Sequence, residues 1–235
     1  MKPNFTKMLA LEALAFLLTA CAFQPARSQT VKTKYPKMAP LEQYLMERDA
    51  EIAMAQSAAP ASISKEAGIL VMGRHGYESA VKGKNGFVCI VERSWTAGSE
   101  HPDFWNPRLR APICFNPPAV RTYLPIMVRR TELILGGSTK EEMFARIQSS
   151  FDRNELSLPE PNSMCYMMSK QGYLSDANGR WHPHLMFFVP KTDLAAWGVG
   201  AKGAPVVGFQ DVDSRLTLFL IPVGRWSDGT PAPPL

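Results

Sequence analysis

Ile69, Leu70, Val71, Met72; Gly73, Arg74, His75, Gly76; Tyr77, Glu78, Ser79, Ala80, Val81; Lys82, Gly83, Lys84, Asn85, Gly86; Phe87, Val88, Cys89, Ile90, Val91: this run decides the fold class. Three short segments rich in apolar and β-branched residues are separated by turn formers. Asn85 followed by Gly86 between two such segments is a strong hairpin signal. The run therefore reads as a three-stranded antiparallel meander. Further along, Met164 to Met168 and Leu185 to Val189 flank a turn containing Ser175, Asp176, Asn178 and Gly179, which predicts a second hairpin. Pro205 to Phe209 and Leu216 to Val223 supply two more strands. Consecutive strands with helices between the groups define an α+β class, with a mainly antiparallel sheet, a few appended helices and long Pro-rich loops.

The helices follow from periodicity and caps. Leu41, Tyr44, Leu45, Ile52 and Ala55 approximate one apolar face, predicting a helix from Pro40 to about Ser57. Pro118 opens another to Leu124. Ile126 to Leu135 fits a strand or a continued helix, and Gly136 and Gly137 end it either way. Ser138 with Glu141 three residues on forms a capping box, so Thr139 to Phe151 is expected to be helical, burying Met143, Phe144 and Ile147. Thr192 or Asp193 caps a short helix to about Trp197. Arg93 to Pro118 loses regular periodicity and reads as a long loop.

At the N-terminus, Lys2 and Lys7 precede the apolar run Met8 to Leu18, which is too short for the roughly 20 residues a bilayer requires. The segment ends Leu18, Thr19, Ala20, Cys21, which resembles a bacterial lipobox with Cys21 as the lipidated residue. The expected organisation is a signal peptide at 1–20, a tether at 21–39, one α+β domain at 40–226 and a flexible tail at 227–235. The protein is then exported, as a periplasmic or outer-membrane lipoprotein held to the membrane by its lipid anchor only; plain secretion is the alternative. With 46% hydrophobic residues the chain can bury a sizeable core, and its net charge of +5 is mild. The nearest basic cluster, Arg121, Arg129 and Arg130, lacks the interleaved aromatics of single-strand binders, so no nucleic-acid partner is expected.

Once Cys21 is set aside, Cys89, Cys114 and Cys165 remain. Cys89 and Cys114 are the favoured disulfide pair in an oxidising compartment. They lie near the ends of apolar segments and would clamp the Pro-rich loop, contributing about 3 kcal/mol on the loop-entropy estimate. Cys165, beside Met164, Tyr166, Met167 and Met168, reads as a buried and chemically inert thiol.

Chemistry concentrates at Trp181, His182, Pro183, His184. On a strand, residues two apart share a face, so His182 and His184 could grip one zinc ion. His75, His101, Glu78, Glu92, Asp103 and Asp176 are the available further ligands, but none stands at a recognisable metal-motif spacing. Pro183 lacks an N–H and confines the pair to a strand edge or entrance. The aromatic loop carries Trp95, Phe104, Trp105 and Phe115, which either pack as a cover or face a ligand. Trp95, Trp105 and His184 are accordingly the candidate ligand-binding residues.

Gly83 to Cys89, Cys114 to Pro118, Tyr166 to Ser169 and Pro183 to Phe188 together resemble a group of exported bacterial proteins of unknown function, over about Ala58 to Arg225. The resemblance implies export and a shared fold, and no activity. The expected function is a non-catalytic envelope domain, without cofactor, that binds a small ligand, glycan or protein partner. The alternative is a zinc-dependent hydrolase built on His182 and His184.

Overall fold

The computed structural model describes residues 34–177 and 179–234; the signal peptide, Cys21, most of the tether and Asn178 lie outside them. Eight strands form one sheet: β1 Gly68–Met72, β2 Tyr77–Val81, β3 Val88–Glu92, β4 Ala111–Phe115, β5 Met164–Met167, β6 His184–Pro190, β7 Val207–Asp211 and β8 Leu216–Pro222. Their spatial order is β2-β1-β3-β4-β5-β6-β8-β7. Every pairing is antiparallel except that of β1 with β3.

That exception corrects the meander. β2 pairs only with β1, and β3 lies on the other side of β1. Residues 82–87 therefore cross the start of β1 instead of closing a hairpin. The amides of Lys84 and Asn85 both donate to the Glu66 carbonyl, and the Asn85 side chain turns the chain locally by accepting from the Phe87 amide. A Cβ on Gly83 would come within 2.2 Å of the Gly68 nitrogen, so only glycine permits this crossing. The Asn-Gly turn exists; the partner it serves is set by a backbone contact remote from it in sequence.

β4 lies inside the span expected to be loop. All five of its residues are buried, so it shows none of the alternation that marks a half-exposed strand. Cys89 and Cys114 stand opposite each other on β3 and β4 and form the predicted disulfide. Cys165 is free and buried, and burial pushes its thiol pKa well up.

The helices are α1 Arg48–Gln56, α2 Ala61–Ser64, α3 Pro117–Thr122, α4 Leu124–Leu135 and α5 Lys140–Asp152. The first is shorter than expected. Only a 3-10 turn forms at Leu41–Gln43, because the Tyr44 carbonyl accepts from Arg93 Nε at 2.7 Å instead of serving a helix. The Glu47 carboxylate then caps α1, accepting from the Asp49 and Ala50 amides. The ambiguous 126–135 segment is helical, and Pro125 sits in its first turn, where a missing N–H costs nothing. The α5 cap is shifted by one residue to Thr139 and Glu142. Ser138 is already engaged in closing α4, its amide donating to the Leu133 carbonyl.

α1 covers one face of the sheet, where Ala55 packs with Ile69, Val71, Cys89, Val91 and Cys114. α3, α4 and α5 cover the other, against Ile90, Ile113, Phe115, Cys165 and Phe188. Between α1 and the sheet, Glu51 Oε1 accepts from Arg93 Nη2 at 2.9 Å and from the Met72 amide at 3.1 Å, in a fully buried ion pair.

Both ends of the domain are tied down more firmly than expected. Tyr35 donates to the Asp176 carboxylate, Lys34 pairs with it, and Met38 and Ala39 pack on the core, so residues 34–39 belong to the domain and not to a free tether. The segment after Trp226, expected to be a loose tail, folds back. The Ser227 amide donates to the Met168 carbonyl, the Ala232 amide to the Gly224 carbonyl, and Lys170 pairs with Asp228. Among the described residues no helix is long and apolar enough to cross a membrane.

Candidate functional site

The helices on the α4/α5 face stop short of the sheet's far end, leaving a cleft of about 640 Å³. Its floor is one face of the sheet: Glu92 on β3, Ala111 on β4, Met167 on β5, His184 and Met186 on β6, and Leu218 and Leu220 on β8. Leu109, Leu174 and Trp181 wall one side. Residues 96–101 and 211–213 wall the other, and Phe209 and Val212 at this rim are 45% and 78% exposed.

The 96–101 wall is held rigidly. Arg130, on α4, donates from Nη1 to the Thr96 carbonyl and from Nη2 to Ser214 Oγ; Lys140, on α5, donates to the Ser99 carbonyl; and Asp213 accepts from the Ser99 amide at 2.8 Å. Beneath it, Trp95 is fully buried against Tyr44, its Nε1 donating to Thr131 Oγ1 at 3.0 Å. Trp95 thus anchors the loop from within the core and has no free face. Trp105 is half-buried and lines a separate hollow of about 540 Å³ between residues 35–38 and the start of α5. Of the three candidate ligand-binding residues, only His184 lies in the cleft.

The two histidines meet through the ring of one and the backbone of the other. β6 begins at His184, so His182 precedes the regular strand, and its carbonyl bonds His184 Nδ1 at 2.7 Å. A carbonyl can only accept, so Nδ1 carries the hydrogen and Nε2 keeps its lone pair. Burial lowers the His184 pKa, the His182 carbonyl raises it, and the His182 ring lowers it again. Among the described residues no group of three His, Cys, Asp or Glu side chains could hold a metal ion. Glu92 and His184 share the cleft, but β4 and β5 lie between their strands. Three strand spacings put about 14 Å of sheet between their backbones.

Two polar groups at the site are nine-tenths buried and poorly partnered. Glu92 is 9% exposed and has no ion-pair partner among the described residues; burial pushes its pKa up to about 7, against the opposing charge of Arg130 and a hydrogen bond with Thr96. Tyr123 is 6% exposed, stacks on Phe188, and its hydroxyl has no hydrogen-bond partner among the described residues; burial pushes its pKa well up. Trp181 Nε1 is also buried without a partner. Tyr123 has no visible mark in the sequence. Glu92 did leave one: a single charge at the end of the apolar run Val88 to Val91, in phase with the inward-facing Ile90.

Compared against protein-family models, curated proteins and solved structures, the chain matches none of them.

Proposed function

We propose that this protein is an exported, envelope-located binding domain whose cleft takes a small ligand with an apolar body. The observation that carries this reading is the cleft itself: about 640 Å³, walled mainly by apolar side chains, with a few inward polar groups and an exposed apolar rim. Small-molecule sites have this composition and size, and exposed apolar residues clustered at a concavity mark contact surfaces. The separation of Glu92 from His184 favours binding over catalysis, because the strands that carry this carboxyl and this imidazole hold their backbones about 14 Å apart. The His182–His184 zinc alternative gains no third ligand from the arrangement. The rigid 96–101 wall favours a preformed site, which lowers the ordering cost of binding.

The test is titration with the neutral, environment-sensitive fluorophore N-phenyl-1-naphthylamine. Saturable one-to-one enhancement is expected, weakened about tenfold or more by Leu220→Trp, which fills the cleft from its half-buried edge. An absence of saturable enhancement, or equal enhancement in a folded Leu220→Trp variant, refutes the reading.

Envelope location rests on the export segment and the lipobox-like Leu18 to Cys21. In an exporting bacterial host, Cys21→Ser is expected to move the full-length chain from the membrane fraction to the soluble fraction. Unchanged fractionation contradicts the lipid anchor.

A further inference from the structure

We infer that the cleft selects organic cations, taking an amine or quaternary ammonium group carried on an apolar body. This rests on the cleft being a binding site and goes further, to the charge of what it binds. The chain as a whole carries a net charge of +5, yet the cleft is lined by Glu92, Glu100, Asp211 and Asp213 and by no lysine or arginine. None of these four carboxylates is ion-paired among the described residues. The nearest cation, Arg130, is fully buried behind the wall, with its donors turned to the Thr96 and Ala97 carbonyls and to Ser214. It stabilises the wall from behind, where its charge acts on Glu92 and its Nε has no hydrogen-bond partner among the described residues.

Most of the hydrogen-bonding groups point the same way; Trp181 Nε1, a buried donor without a partner among the described residues, is the exception. Glu92 lies on the cleft floor, nine-tenths buried, with no cation within ion-pairing distance. His184 Nε2 is a lone-pair acceptor. Asp211 and Asp213 stand at the rim, accepting from the Ser214 and Ser99 amides. Tyr123 can accept as well as donate. A ligand complementary to these groups is rich in donors and positively charged. Tyr123, Trp181 and Phe209 add ring faces and edges around the same volume, and ring faces attract ammonium groups. A fatty acid, equally apolar, would add negative charge to a site lined by acidic side chains and by no lysine or arginine.

The experiment displaces N-phenyl-1-naphthylamine from the full mature chain with decylammonium, decanol and decanoate, all below their aggregation limits. Decylammonium is expected to compete about tenfold better than decanol, and decanoate about tenfold worse. Glu92→Gln is expected to erase most of the preference of decylammonium over decanol. The double variant Glu100→Gln, Asp211→Asn removes rim charge without touching the floor, and it should narrow the preference if Glu92→Gln does not fold. Equal competition by all three compounds overturns the inference while leaving the apolar binding site standing. If the fluorophore itself does not bind, the site and the inference fall together.

Discussion

Glu51 and Glu92 are two buried carboxylates on opposite faces of the same sheet, and they are treated in opposite ways. Behind β3, Glu51 meets Arg93 and the Met72 amide, so its oxygens have partners within the fold. On the front, Glu92, the residue next to Arg93, faces the cleft with no ion-pair partner. A strand sends neighbouring side chains to opposite faces, so one peptide step separates a completed ion pair from an uncompleted site. The difference separates two uses of buried charge. A carboxylate satisfied from within holds elements together, whereas one left desolvated without an ion-pair partner reduces stability unless something arrives to meet it.

The largest expected effect breaks the completed side. Glu51→Ala leaves Arg93 buried and uncompensated, and is expected to cost about 3–5 kcal/mol in urea unfolding. A cost below about 1 kcal/mol would mean that the α1 pair is not structural, and the contrast would lose its meaning. Removing both charges, with Glu51→Leu and Arg93→Met, should cost much less than the sum of the single changes, as a coupled pair requires.

The smaller effect sharpens the other side. Glu92 has its pKa raised from 4.5 to about 7, so the folded protein binds the extra proton between those values. Stability should therefore fall as pH rises from about 4.5 to about 7, by at most about 3 kcal/mol. Around the carboxyl, Arg130 and Thr96 oppose the shift. His184 acts in the opposite sense: its lowered pKa makes stability fall as pH drops below about 6.5. Glu92→Gln should remove the decline between about pH 4.5 and about pH 7 and leave the acid-side loss in place. Identical pH profiles for the variant and the parent protein would show that Glu92 is not desolvated.

How much of this was legible in the sequence depended on whether the deciding contact was local. Local patterns fixed α5, whose apolar face at Met143, Phe144 and Ile147 set it in register even though two Ser/Thr-x-x-Glu frames competed for the cap. The pairing of Met164 to Met167 with the strand beginning at His184 was also readable, because one turn joins the two. Pairings decided elsewhere were hidden. The place of β3 depended on Gly83 passing the Gly68 backbone, and β4 was masked by burial on both faces. The cleft falls in the same class. It exists because β8 inserts between β6 and β7 and because α4 and α5 end where they do, so His184 could be singled out while Tyr123 could not. Trp95 and Trp105 looked alike as loop aromatics, but one became the loop's anchor and the other the wall of a different hollow.

The Asp176 carboxylate gathers Lys34, Tyr35, Asn106 and Tyr173, while its own amide donates to Asp103. Mechanically, this knot is the first point at which tension along the chain preceding Lys34 would reach the domain. The load would pass into residues 103–106 and the 173–176 turn, where Leu174 walls the cleft.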